Sequence, residues 1–125
     1  MAGPDRNVVL VVDDDDSMLR SMGRLLRTMG YASMLFPSAA AFAEHRDFDE
    51  VLCVLLDIDL GDDSGIELRQ RLKAANNPVP VIYITGNDTP ANRMAALQSG
   101  CLAYLTKPFS AAALAENLGR ASKRA

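Results

Sequence analysis

Val51-Leu52-Cys53-Val54-Leu55-Leu56-Asp57 is the stretch on which the reading of the fold turns. Six apolar residues without alternation describe a strand covered on both faces, not one with a wet side. The run ends on a carboxylate, and a loop over residues 58–64 follows. A second apolar run, residues 8–12, ends in the same way on Asp13 and Asp14. Two buried-type strands therefore each deliver acid at a C-terminal tip. In an open parallel sheet, ligands bind beyond the carboxyl ends of the strands, where the strand order reverses. Three carboxylates gathered there repel one another and require a cation. That cluster points to metal-assisted phosphoryl chemistry.

Outward from this stretch, apolar runs alternate with helical patterns. The runs cover residues 8–12, 32–36, 51–56, 81–85 and 103–105. Leu19, Met22, Leu26 and Met29 recur at helical spacing, and Gly30 stops that helix. An Ala-rich short helix is expected over residues 38–44. Ser64 and Glu67 make an S-x-x-E capping box for a third helix through Leu68 and Leu72. Thr89-Pro90 reads as an N-cap followed by proline at the first helical position, and that fourth helix ends at Gly100. Ser110 caps a last helix in which Leu114 and Leu118 lie one turn apart. Strand–helix alternation with right-handed crossovers predicts an α/β fold, a doubly wound parallel sheet with helices on both faces.

At 125 residues the chain suits one domain with one core. Its 49% hydrophobic and 23% charged residues are ordinary for a soluble globular protein. A net charge of −3 argues against a direct nucleic-acid contact by this domain. No apolar run approaches the roughly 20 residues of a membrane span. The first seven residues lack the pattern of a signal peptide, so the cytoplasm is the expected location. Cys53 and Cys101 read as buried, reduced thiols, and His45 as a surface-loop histidine. The first seven residues and the stub Ser122-Lys123-Arg124-Ala125 read as tails.

Val11-Val12-Asp13-Asp14, then Asp57, then Thr85-Gly86, then Lys107-Pro108-Phe109 occur in that order at strand ends. The arrangement resembles the receiver domain of two-component response regulators, over essentially the whole chain. The resemblance implies a single receiver domain over residues 1–125. It implies a flavodoxin-like sheet of five strands in the order 2-1-3-4-5. Asp57 then resembles the phosphoacceptor, an exposed carboxylate that takes a phosphoryl group as an acyl phosphate. Asp13, Asp14 and Asp57, with the backbone carbonyl of Asp59, resemble the ligands of Mg²⁺, which keeps several waters and needs few carboxylates. Lys107 resembles the lysine that meets the phosphoryl oxygens as a point charge, aimed inward by a cis bond before Pro108. Thr85 resembles the hydroxyl that bonds the phosphoryl group after transfer. Tyr104 resembles the family's switch aromatic, with Thr85 and Tyr104 expected to end adjacent strands. Asn87 lies where the family varies to tune phosphoryl lifetime. The implied partners are a histidine kinase or phosphotransfer protein, and a downstream protein that docks on the face of helix 4, strand 5 and helix 5.

Several residues carry plainer readings or depart from the pattern. Asp15 or Asp16 is expected to cap the first helix, and Asp62 and Asp63 to be solvated. Leu60-Gly61 replaces the Met-Pro-like pair usual after the acceptor, and glycine there is expected to loosen the loop. Ala-rich residues 110–120 suggest a small-residue docking surface in place of a charge-paired dimer face. Leu56-Asp57-Ile58-Asp59 also matches the DxD core of haloacid-dehalogenase-like phosphatases, although that strand normally comes first in a longer chain. The family resemblance makes the chain a signalling switch, not an enzyme acting on other substrates. The Met1 start favours a complete single-domain regulator over the receiver half of a longer DNA-binding regulator or hybrid kinase.

Overall fold

The apolar runs pair side by side into one parallel sheet in the order β2-β1-β3-β4-β5. The computed structural model describes residues 6–124. In chain order the elements are β1 (Val8–Val12), α1 (Asp16–Thr28), β2 (Ala32–Phe36), α2 (Ala39–Ala43) and β3 (Val51–Asp57). They continue with α3 (Gly65–Ala74), β4 (Val81–Thr85), α4 (Pro90–Ser99), β5 (Ala103–Thr106) and α5 (Ala111–Arg124). The expected fold class and strand order are thus observed. β3 runs one residue further than the apolar pattern, because Asp57 still pairs with Ile84. β5 likewise extends to Thr106, paired with Thr85.

The sheet separates two apolar layers, as the unbroken runs require. One unites Leu10, Val12, Val54, Leu56 and Tyr83 with Phe42 of α2, Leu68 and Leu72 of α3, and Ala96 of α4. The other unites Val9, Val11, Cys53, Leu55, Ile82 and Ile84 with Leu19, Met22 and Leu26 of α1, and Leu114 and Leu118 of α5. Each fully buried side chain of this size contributes about 1.5–3 kcal/mol of transfer free energy. Every residue of β3 and β4 is buried, so the sheet's centre is covered on both faces up to the strand tips.

Local signals set most helix ends. Asp15 caps α1, accepting from the N–H groups of Ser17 and Met18, and Gly30 follows its C-terminus at φ +91°. Ser38, Thr89 and Ser110 cap α2, α4 and α5 through their hydroxyls. Gly100 closes α4 in the left-handed conformation that glycine adopts without steric cost. The reciprocal capping box expected at α3 does not form. Ser64 Oγ accepts from the Ile66 N–H, but the Ser64 N–H donates to Asp63 Oδ1 at 2.8 Å, so the neighbouring carboxylate has taken the place of Glu67.

Other plain readings also change. His45 is half-buried, its ring 5.5 Å from that of Phe36 and 5.3 Å from that of Phe48, because the chain after α2 folds back over the sheet edge. Cys53 is buried, which pushes its thiol up to about 12, whereas Cys101 is only half-buried. Ser122 to Arg124 belong to α5 and not to a tail. The tail expected over the first residues lies, for residues 1–5, outside the described part.

Gly65 is a structural requirement that periodicity did not expose. A Cβ on Gly65 would run into the backbone carbonyl of Asp57. Only glycine lets the first residue of α3 lie this close to the tip of β3. Gly65→Ala is expected to destabilise the fold by about 2–3 kcal/mol in urea denaturation, because backbone must move. Gly119→Ala, where a Cβ would meet nothing within 4 Å, is expected to stabilise α5 by up to about 1 kcal/mol.

Candidate functional site

The tips of β1, β3, β4 and β5 converge at one end of the sheet. β1 delivers Asp13, 4% exposed, and then Asp14, which is open to solvent. Asp13 Oδ1 accepts from the Asp15 N–H at 2.9 Å, which fixes its carboxylate as the chain turns into α1. β3 ends on Asp57, 7% exposed, whose Oδ1 accepts from the Asp59 N–H at 3.1 Å. The carboxylate expected to be exposed is therefore largely buried, because β3 continues through it and α3 begins against its backbone.

Lys107 completes the site from beyond β5. Its N–H donates to the Thr85 carbonyl at 2.8 Å, tying it to the tip of β4. The Lys107–Pro108 peptide is cis, as the resemblance implied. Lys107 Nζ donates to Asp13 Oδ2 at 2.9 Å and to Asp57 Oδ2 at 3.1 Å. Burial alone would lower the pKa of Lys107, but the hydrogen bond it donates to Asp13 and the charge of Asp57 outweigh it and raise it. The carboxyl of Asp57 lies above its ordinary value. Burial is the main cause, and the Asp13 charge adds to it, against the opposing pull of Lys107.

Asp13, Asp14 and Asp57 each offer an oxygen within 4.8 Å of the others. Oxygens that share one Mg²⁺ lie about 3–4 Å apart, given bonds of 2.0–2.1 Å and octahedral angles. The donor set therefore fits a hard divalent cation. Asp59 itself is exposed, and its Oδ2 faces Asn87 Nδ2 at 3.4 Å, outside this group. Gly61 has φ +80°, and a Cβ there would lie 3.3 Å from Asp14 Oδ2. Glycine is thus required by conformation beside the acidic cluster, and proline, with φ near −65°, does not fit this turn. Asp62 and Asp63 are tied down and not merely solvated. Asp62 accepts from the Ala39 and Ala40 N–H groups at the start of α2, and Asp63 meets Arg71 at 2.8 Å.

Thr85 is fully buried, and its Oγ1 accepts from the Asn87 N–H at 2.9 Å. Tyr104 does not end its strand as expected. It pairs with Tyr83, and Thr106 is the residue beside Thr85. Because strand side chains alternate, Tyr104 and Thr85 nevertheless share a sheet face. The Tyr104 hydroxyl donates to Asp88 Oδ1 at 3.0 Å. Arg93 reaches Asp88 Oδ2 at 2.7 Å and stands 4.8 Å from the centre of the Tyr104 ring. Asp88 and Arg93 escaped the sequence reading, because neither carries a pattern that announces a tyrosine partner.

The profile of the family described as "Response regulator receiver domain" matches residues 9–119. The chain belongs to that family. It is a receiver domain of the kind found in two-component response regulators. The receiver is 32% identical over 117 residues to Nodulation protein W of Bradyrhizobium diazoefficiens, covering 94% of this chain and 52% of that protein. It is 28% identical over 103 residues to the response regulator protein TodT of Pseudomonas putida, covering 82% and 45%. The receiver thus spans about half the length of the curated relatives it matches. Its fold superposes on the crystal structure of FixJ-N with a TM-score of 0.83, at 28% identity and 94% coverage of both chains. A CheY-like receiver domain protein of Methanospirillum hungatei gives 0.82 at 28% identity, covering 95% and 98%. No helix among the described residues is long and apolar enough to cross a membrane.

The raised carboxyl of Asp57 means that the folded receiver holds this proton more tightly than the unfolded chain does. The ionised group therefore costs stability at neutral pH, and the cost fades as pH falls through the raised value. Asp57→Asn is expected to raise stability at pH 7 by on the order of 1 kcal/mol, or about 3–6 °C in Tm. Its advantage should shrink at pH 4. Lys107→Ala leaves two buried carboxylates unpaired and should lower stability by about 1–3 kcal/mol. Thermal melts followed by circular dichroism at both pH values check each sign.

Proposed function

We propose that Asp57 is the phosphoacceptor of this receiver, and that a histidine kinase or phosphotransfer protein is its donor. The observation that carries the reading is the Lys107 ammonium shared between Asp13 and Asp57 at the mouth of the sheet. A carboxylate oxygen of Asp57 attacks phosphorus. The P–O bond forms as the P–N bond to the donor imidazole breaks, and the electron pair stays on that nitrogen. The main demand on the protein is positioning and charge neutralisation. Lys107 Nζ lies within reach of the incoming phosphoryl oxygens and can exchange a carboxylate contact for one of them. Asp13, Asp14, Asp57 and the Asp59 backbone carbonyl would hold Mg²⁺, which supplies positive charge to the phosphoryl oxygens. Among the described residues the Thr85 oxygen only accepts, from the Asn87 N–H, which leaves its proton free to donate.

The switch runs through Thr85 and Tyr104. In this structure the half-buried Tyr104 is tied at its hydroxyl to Asp88 and stacked under Arg93. When Thr85 moves toward phosphorylated Asp57, Tyr104 gains room inward and leaves Asp88. A phosphoryl group shifts this equilibrium only by its differential contact with the two states. The charge-assisted bonds it makes are the source of that difference. A downstream protein then reads the face of α4, β5 and α5, where Met94 and Leu97 are 61% and 63% exposed. The unit is one receiver domain, working in the cytoplasm as a signalling module.

Treatment with acetyl phosphate and Mg²⁺ is expected to add one phosphoryl group to the wild-type protein by intact mass. Asp57→Asn should add none, and chelation of Mg²⁺ should abolish the gain. Equal incorporation in Asp57→Asn would remove that residue from the central role.

Thr85→Ala is expected to accept phosphate yet respond weakly at the distant face. NMR spectra with and without beryllofluoride, a stable mimic of aspartyl phosphate, read this directly. Full wild-type shifts at Met94, Tyr104 and Leu114 in the variant would break the Thr85–Tyr104 link.

A further inference from the structure

β2 is one edge of the sheet, and beside it α1 carries a basic stripe. Arg20, Arg24 and Arg27 are exposed and follow one another at i, i+4 and i+7, so they share a helix face. Among the described residues none of the three forms an ion pair. They overhang a groove of about 760 Å³ whose floor includes Ser33 and Leu35 of β2. Gly23 opens it: a Cβ at Gly23 would lie 3.4 Å from Leu35 Cδ1, so α1 leaves space where a larger residue would fill it. Leu35 is 39% exposed on this side, and Met34 is 42% exposed on the opposite sheet face.

The backbone of the same edge is unsatisfied by the sheet. The Ala32 N–H donates to the Asn7 carbonyl, and the Phe36 carbonyl accepts from the Asp13 N–H. A parallel ladder uses alternate residues, so Ala32, Met34 and Phe36 turn their peptide groups toward β1. Ser33 and Leu35 therefore turn theirs outward. Ala32, Ser33 and Leu35 of β2 all line the groove, and of these Ser33 and Leu35 have peptide groups that no other strand among the described residues uses.

We propose that this groove docks an extended acidic segment of a partner protein, added to β2 as a sixth strand. In such a strand, successive side chains fall on opposite sheet faces about 6.6 Å apart for every second residue. Arg20 and Arg24 are separated by about 6 Å along the α1 axis, from a rise of 1.5 Å per residue. Acidic residues at alternate positions would face the arginines, and the apolar residues between them would lie beside Met34. Main-chain hydrogen bonds supply affinity in this mode, and the side chains supply selection. A second copy of the chain paired through its own β2 edge is the less favourable occupant. A two-fold pairing of β2 edges would bring the arginine stripes of both copies to one interface, and like charges oppose that contact. The proposal does not depend on phosphorylation of Asp57.

An end-capped octapeptide of alternating Val and Glu tests it, titrated into ¹⁵N-labelled protein at low salt. Amide shifts should concentrate at residues 33–35, and exchange of the Ser33 and Leu35 amides should slow at saturation. An octapeptide of alternating Val and Lys should leave those amides unchanged. Reversing all three charges, R20E/R24E/R27E, should weaken binding about threefold to a hundredfold, the sum of three exposed pairs. Arg24→Glu alone, a milder surface change, should weaken it by a smaller factor. Unslowed exchange at Ser33 and Leu35 with the Val–Glu peptide at saturation would overturn strand addition. Undiminished affinity in both charge-reversed variants would overturn the role of the arginine stripe. No binding up to millimolar peptide would overturn the docking groove itself.

Discussion

The ammonium of Lys107 between Asp13 and Asp57 is the contact on which the functional end of the molecule depends. Two carboxylates, each less than a tenth exposed, stand at the tips of neighbouring strands. Without a shared cation their repulsion and desolvation would act together against the fold. One nitrogen at 2.9 and 3.1 Å answers both. The same arrangement leaves Asp57 with a raised carboxyl, because Lys107 offsets burial only in part. The group is therefore held at some cost, in the manner of sites where reactivity and stability pull in opposite directions.

That contact is possible because of how the sheet is wound. β1 and β3 are neighbours although α1, β2 and α2 separate them in sequence. The strand order reverses between them, which opens a crevice at their carboxyl ends. Lys107 reaches the crevice from a backbone pinned to Thr85. Gly65 and Gly61 serve the same end from the other side. One lets α3 begin against the tip of β3, and the other lets the β3–α3 loop turn beside Asp14.

From the site, a continuous set of contacts leads to the surface. Asp59 faces Asn87, Asn87 is held to Thr85, and its carbonyl accepts from Asn92 in α4. The next residue, Asp88, is the acceptor for Tyr104. The β4–α4 loop thus meets Asp59, two residues beyond Asp57, at one end and the half-buried tyrosine at the other. The β2 edge lies apart from this path, on the far side of β1. One small domain therefore presents two surfaces of different chemistry, one apolar on α4 and one basic on α1.

Much of this was legible in the residue order. Unbroken apolar runs fit strands covered twice, and their alternation with helical patterns set the α/β class and the two layers. Capping residues and glycines marked most helix ends within a residue, because those signals act on the backbone next to them. Asp13, Asp14, Asp57, Thr85 and Lys107 stood out because each closes or follows a strand. What escaped depended on neighbours distant in sequence. The burial of Asp57 follows from α3 closing over it. Gly61 and Gly65 are demanded by an approach that no local pattern announces. His45, Asp62, Asp63, Asp88 and Arg93 found partners that only folding brought near. Tyr104 was placed at a strand end, but the inter-strand register set it beside Tyr83. Periodicity and capping are short-range physics and can be read along the chain. Register, desolvation and shared charge are set by contacts between segments, and only the tertiary structure decides those.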